Sequence, residues 1–389
     1  IPLRLVGSEM CIRDSNICDL LESCIAEGRF GFEECAFLLF MGHLPTRWEL
    51  QEFADVLAML RHLPPRFTED IIMKAPSRSI MNKLEVAVLS LYAYDDNPDD
   101  TSLENMMRQS MELVARLPVI AGQAYAVYRN TFFNKSLNLH NPRDGLSTAE
   151  NFLRILRPDK SYTPEEAHLL DLCLIIHAEH GGGNASTFAT RVLSSTGTDT
   201  YSAIAAGIGA LKGPLHGGAN IKVQEMFDCV KANVRDPHND DELSDFLLRI
   251  LKGKANDGSG LIYGMGHAVY TKSDPRAVML KRYARQLAQD KGYGEDFELL
   301  ESIERLTPEV FNTYKGKHHD ICANVDLYSG LVYRMLGIPT EMYTPLFTIA
   351  RTAGWCAHRM EEILSSGKIM RPGYKCIERE RPYTELTRR

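Results

Sequence analysis

From Asn16 onward, apolar and polar positions recur at intervals of three and four almost without interruption, the period of helices that bury one face. Thr46 and Glu49 form a capping box, Phe53, Val56, Leu57, Leu60 and Leu63 then share one face, and Pro64 and Pro65 end the run. Thr163 as N-cap, Pro164 at the first helical position and Glu166 at the third mark another start. That run carries Leu169, Cys173, Ile176 and His180 at intervals of four, three and four, so the spacing predicts a helix that turns His180 inward with its apolar stripe. Helical runs are also predicted over 103–117, 275–291, 297–306 and 330–336, and few alternating segments qualify as strands. The predicted fold is mainly α.

Glycine divides the chain unevenly. It clusters at 181–183, 213–218, 253–266 and 316–330, and is sparse in the first hundred residues, which places irregular backbone in the second half. Asp95, Asp96, Asp99 and Asp100 make a short acidic loop, read as a solvated connection. Residues 1–15, IPLRLVGSEMCIRDS, have no initiator Met, no clear period and no long apolar core of a secretory signal. They read as a non-native leader, translated from adapter or vector sequence and joined to a truncated reading frame, and are set aside from the fold.

Composition narrows the function classes. With 389 residues, 44% hydrophobic and 24% charged, and a mean hydropathy of −0.22, the chain is long enough for a sizeable core and about two domains. Its formal net charge of −7 provides no global basic field for nucleic acid or an anionic membrane. An anionic ligand must therefore be met by a local cluster of Arg and His. Nine cysteines, an odd number without a C-x-x-C pair, argue against a disulfide framework and a zinc ribbon and point to a reducing, cytoplasmic setting. No apolar run reaches the roughly 20 residues of a membrane span.

The chemistry gathers in five segments at helix edges: HAEHGGGNAS at 177–186, GPLHGG at 213–218, GMGHAVY at 264–270 followed by Asp274, Pro275 and Arg276, NVDLYSG at 324–330, and RTAGW at 351–355. Each alone is weak, because a His after Gly-Pro more often packs a loop, and Gly-x-Gly without a preceding strand is no dinucleotide fingerprint. His177 with His180, or His318, His319 and Asp320, could instead hold a metal. Against that, neither H-E-x-x-H nor H-x-x-E-H occurs.

Together and in this order, the five segments resemble the citrate synthase family, and the resemblance runs from about Asn16 to about Tyr383 and includes GRFGFEECAFLLFMGHLP. It implies a mainly α fold with a large domain over 16–217 and 337–389, an inserted small domain over 218–336, and the active site in the cleft between them. The β-rich segment and Tyr-Arg-Gly-Tyr-type motif with which family members usually begin are replaced here by residues 1–15. The implied reaction condenses acetyl-CoA with oxaloacetate and hydrolyses the thioester, the entry step of the tricarboxylic acid cycle. 2-Methylcitrate synthase, which uses propionyl-CoA, shares these motifs, and a catalytically inactive structural homolog is a further alternative.

Deprotonating a thioester methyl needs a carboxylate base and a donor to the developing enolate. The resemblance assigns these roles to Asp326 and His216, and the ketone of oxaloacetate to His267. It gives the substrate carboxylates to Arg276 and Arg351, beside His180, with Arg371 supplied in trans across a homodimer. Guanidinium groups suit that task because they pair bidentately with carboxylates. Coenzyme A is expected along Leu261, Gly264 and Gly266, with Lys315 and Lys317 as phosphate contacts. Some family members have Arg four residues after the equivalent of His267, where this chain has Thr271 followed by Lys272. No metal and no cofactor beyond the CoA ester is expected.

Overall fold

A computed structural model of the chain describes residues 10–12, 15–267, 270, 272–365, 367–373, 375–379 and 381–389. Fifteen α-helices dominate them, and the one sheet among them is an antiparallel pair of two-residue strands, Cys11–Ile12 and Ser15–Asn16. Local chemistry sets many of the helix starts. Thr46 with Glu49 opens Arg47–Leu60, Thr163 with Glu166 opens Pro164–His177, and a third capping box not anticipated from the sequence, Ser147 with Glu150, opens Thr148–Leu156. Each supplies acceptors to N–H groups that a first helical turn leaves unpaired.

Two helices run past their predicted limits. Leu103–Phe133 continues through Pro118, and Gly294–Lys315 through Pro308. An interior proline removes one hydrogen bond and crowds the preceding turn, at a cost of about 3 kcal/mol. Beyond Pro118, however, Val119, Ile120 and Val127 are buried, at roughly 1.5–3 kcal/mol each, and this packing carries the helix onward.

The expectation for His180 is also corrected. Pro164–His177 stops three residues before it, with Ala178 as C-cap, and Gly181 adopts φ +88°, a left-handed conformation that costs glycine little. His180 therefore reaches inward from the connection after the helix. Residues 10–12, within the leader set aside above, join the core. Met10 and Ile12 are buried, and the Ile17 N–H donates to the Met10 carbonyl at 3.0 Å. The remaining leader residues, 1–9, 13 and 14, lie outside the described residues, apart from Ser15.

The helix Tyr343–Ser365 occupies the centre of the first-half bundle, packing on Phe32–Met41, Ile80–Leu91, Leu103–Phe133, Pro164–His177, Ala185–Ser194 and Thr200–Leu211. Gly354 permits one close crossing, since a Cβ there would lie 2.3 Å from Glu179 Oε2 and 2.4 Å from the Ala178 carbonyl oxygen. Ala219–Asn233 and Pro275–Asp290 pack against Val325–Met335, and Asp240–Leu251 against Gly294–Lys315, which also touches both Pro275–Asp290 and Val325–Met335. Pro275–Asp290 contacts Pro164–His177 as well. Among the described residues no helix is long and apolar enough to cross a membrane, and all nine cysteines are free.

Candidate active site

The ends of these helices enclose a cavity of about 610 Å³ whose walls include His180, His216, His267, Arg276, Asp326 and Arg351. Six residues scattered over 172 positions of the chain thus converge, each presented at or near an irregular segment or by the central helix.

Arg351 is wholly buried; its Nε donates to the His177 carbonyl at 2.7 Å and its guanidinium lies over the Phe347 ring, 4.7 Å from the centroid, while both terminal nitrogens have no hydrogen-bond partner. Burial pushes this guanidinium down to about 10, against the opposing pull of Glu179. It remains a cation at neutral pH with the N–H groups of two terminal nitrogens to offer. Arg276 is just as buried but is paired, its Nε and one terminal nitrogen reaching Asp274 at 3.0 and 2.7 Å. Asp274 also caps Pro275–Asp290 through the Arg276 N–H and accepts the Val325 N–H at 3.2 Å. Arg276 therefore belongs at once to a helix cap, an ion pair and the cavity wall.

The three histidines are held neutral at pH 7. Burial, reinforced by Arg351, lowers His216 to about 4. Burial and the charges of Arg276 and Arg351 force His180 far below its ordinary range, and burial with Arg276 lowers His267. Hydrogen bonds then orient the rings. The Ser186 N–H reaches His216 Nε2 at 3.3 Å, and the Ser186 hydroxyl, which donates to Asn184 Oδ1, lies 2.9 Å from the same nitrogen. The Tyr270 N–H donates to His267 Nδ1 at 3.1 Å, which puts the His267 proton on Nε2. The His180 and His267 rings meet edge to face with centroids 5.1 Å apart.

Asp326 stands in the first turn of Val325–Met335. Asn324 caps that helix by accepting the Asp326 N–H at 3.0 Å, and its side-chain amide donates to the Gly266 carbonyl at 2.9 Å. The Asn324 N–H donates to the Gly264 carbonyl, also at 2.9 Å. Gly264 permits this contact: its φ is +81°, and a Cβ would come within 2.9 Å of Leu327. The loop before His267 is thereby stitched to the turn that carries Asp326. Burial raises the Asp326 carboxyl to about 6, with Arg276 opposing, which leaves an ionised base poised near neutral pH.

The sequence pattern described as "Citrate synthase, C-terminal domain" matches residues 5–373. This chain belongs to the citrate synthase family. It is 36% identical over 345 residues to a citrate synthase from Synechocystis sp., covering 88% of this chain and 79% of that one. It is 33% identical over 377 residues to 2-methylcitrate synthase 1 from Corynebacterium glutamicum, covering 95% and 90%. Its fold superposes with a TM-score of 0.80 and 28% identity on citrate synthase from Thermoplasma acidophilum, determined as a ternary complex with carboxymethyl coenzyme A and oxaloacetate, covering 98% and 93% of the two chains.

The remaining residues expected for a citrate synthase site do not all join the cavity. Gly266 lines it, whereas Leu261, Gly264, Lys315 and Lys317 do not. Lys315 instead lies over the rings of Phe311 and Tyr314. Arg371 is exposed and outside the cavity of its own chain. Thr271 lies outside the described residues, as do Ala268 and Val269 of the His267 motif. Among the described residues no three His, Cys, Asp or Glu are grouped to hold a metal ion, and His318 pairs with Asp320 on the surface.

Sequence reasoning passed over the residues that support the site. Ser186 Oγ lies 2.9 Å from His216 Nε2 and accepts the Trp355 indole N–H at 3.2 Å, and Asp274 holds Arg276. Both stood inside the quoted motifs, but only the fold reveals what they touch.

Proposed function

We propose that this chain condenses acetyl-CoA with oxaloacetate and, with water, releases citrate and free CoA. Arg351 carries the reading. A buried guanidinium with both terminal nitrogens unpartnered is costly unless an anion completes it, and the cavity before it contains the base and donors that this condensation needs. Oxaloacetate brings two carboxylates and a ketone. In this reading Arg351, Arg276 and His180 hold the carboxylates, and His267 Nε2–H donates to the ketone oxygen. Ionised Asp326 removes a proton from the acetyl methyl group while a ring N–H of His216 stabilises the enolate oxygen. The enolate carbon then attacks the ketone carbon and the ketone oxygen takes the proton of His267, which the proton gained by Asp326 replaces through solvent. Water then cleaves the thioester, its hydroxyl joining the acyl carbon as the new carboxyl group and its remaining hydrogen going to the CoA sulfur. The CoA ester is substrate, and no other cofactor takes part.

We also infer a homodimer in which Arg371 enters the partner's cleft, a reading supported by its exposure in its own chain. Residues 218–336 would form the small domain that closes on 16–217 and 337–389, with CoA passing near Gly266. A cytoplasmic setting fits nine free thiols.

Thiol release from acetyl-CoA and propionyl-CoA, each with and without oxaloacetate, tests the reaction. A higher specificity constant for acetyl-CoA is expected. Preference for propionyl-CoA would reassign the chain to 2-methylcitrate synthesis, a discrimination of only about 1–3 kcal/mol per methylene. Absence of oxaloacetate-dependent release from folded protein would refute both.

A further inference from the structure

The loop that carries His180 is fastened from behind by charges that no step above uses. Glu179 is buried at 1% exposure. Its Oε1 accepts the Gly181 N–H and the His358 Nε2–H, the latter at 3.0 Å. One carboxylate oxygen thus grips the chain on the far side of His180, while Glu179 itself precedes it. His358 lies seven residues after Arg351 on Tyr343–Ser365, about 10.5 Å along that helix, and its Nδ1 faces Glu361 at 3.5 Å. Next to it, Arg191 bridges the Gly182 carbonyl at 3.3 Å and Glu362 at 3.0 Å. Gly354 lets the carboxylate approach the helix axis.

Both members of the pair are ionised. Burial works against a charged His358, but its bonds to Glu179 and Glu361 prevail and raise it to about 9. Burial likewise opposes a charged Glu179, and His358, Arg351 and the Gly181 N–H hold it below the usual carboxylate range. A buried ion pair is often no more stabilising than apolar residues of the same size, so stability gives little account of this one. Geometry does, because the pair ties His180 to the helix that carries Arg351.

We propose that Glu179 and His358 are positioning residues for oxaloacetate, a buried charged pair that fixes His180 against Tyr343–Ser365 and so sets its placement relative to Arg351. Neither touches the substrate. Glu179 also supplies the negative charge that favours protonated Arg351, so both oxaloacetate contacts depend on it. The proposal rests on the oxaloacetate reading above, and the wild-type assay separates the two: no oxaloacetate-dependent thiol release from wild type refutes that reading itself.

Given wild-type turnover, Glu179→Gln, His358→Gln and the double variant are compared by steady-state kinetics in both substrates, with thermal midpoints alongside. Each single variant should raise the oxaloacetate KM about tenfold, the equivalent of 1.4 kcal/mol. The acetyl-CoA KM and kcat should change by smaller factors, since Asp326, His216 and His267 are untouched. Because the pair acts as a unit, the double variant should be no worse than the poorer single. Oxaloacetate KM values within twofold of wild type in folded variants would overturn the proposal. So would a parallel loss in kcat, both KM values and thermal midpoint, which a merely structural pair would produce, or multiplicative effects in the double variant.

Discussion

The two arginines of the cavity are equally buried and oppositely arranged. Arg276 is neutralised by Asp274, two residues before it, on the same helix start. Arg351 has a carbonyl on Nε, the Phe347 ring beneath its guanidinium, and no hydrogen-bond partner on its terminal nitrogens. The Arg276 wall is a finished structural unit, with Asp274 serving helix cap, ion pair and the Val325 N–H at once. The Arg351 wall is incomplete without an anion. A buried charge that is already paired contributes little further affinity, whereas an unpaired one carries a desolvation penalty that a ligand carboxylate relieves. Substrate affinity should therefore be concentrated at Arg351, and fold stability at Arg276.

The largest expected effect comes from Asp326, the proposed base, which lines the same cavity as the two arginines. Asp326→Asn should lower kcat by about 10³-fold, within the usual contribution of a general base. Wild-type activity should rise as pH increases through about 6, where the carboxyl ionises, and this limb should vanish from the residual activity of the variant. The same substitution should stabilise the fold at high pH. A carboxyl raised from its ordinary 3.8 to about 6 in the fold binds its proton more tightly folded than unfolded. That contribution is present in full below pH 3.8 and lost as pH rises through 6. At pH 8 the variant should gain roughly 1–3 kcal/mol and at pH 3.5 almost nothing, measurable by denaturant titration at the two pH values.

Replacing each arginine by Met breaks the comparison directly. Arg351→Met should lower kcat/KM for oxaloacetate by about 10²–10³-fold, equal to 3–4 kcal/mol, without loss of unliganded stability. Arg276→Met strands the buried Asp274 and should cost about 3–5 kcal/mol of stability. Calorimetry with oxaloacetate and thermal melts of both variants decide the matter, and comparable destabilisation by the two would refute the contrast.

The smallest effect concerns Arg371. Asp326→Asn and Arg371→Leu homodimers should each be impaired, while an equal mixture, re-paired, should recover roughly a quarter of wild-type activity. Half the dimers are then mixed, with one intact cleft of two. No recovery, with heterodimers confirmed by native mass spectrometry, would place Arg371 outside the partner's cleft.

Much of this was legible before any coordinates. Helix starts at Thr46 and Thr163 follow from capping chemistry within four residues, and the five motif segments contain His180, His216, His267, Arg276, Asp326 and Arg351, which the fold brings to one cavity. Helix ends were less legible. The run through Pro118 is decided by the packing of Val119, Ile120 and Val127, and the break before His180 by a glycine conformation that an apolar period of three and four does not register. Residues 10–12 show the same limit, since Met10 and Ile12 look unpatterned along the chain and yet are buried.

What the sequence by itself determined was the inventory: a helical chain, its capped starts, and His180, His216, His267, Arg276, Asp326 and Arg351 at the edges of its helices. Short-range periodicity and local hydrogen bonding suffice for that, because their partners lie within one or two turns. Only the tertiary structure decided the electrical state of these groups. Arg276 finds Asp274 two residues before it, but whether Arg351 is left open, a histidine neutral or a carboxyl raised depends on burial and on groups far along the chain, as with His177 and Arg351 or Glu179 and His358. Those distances along the chain are abolished only when the helices pack.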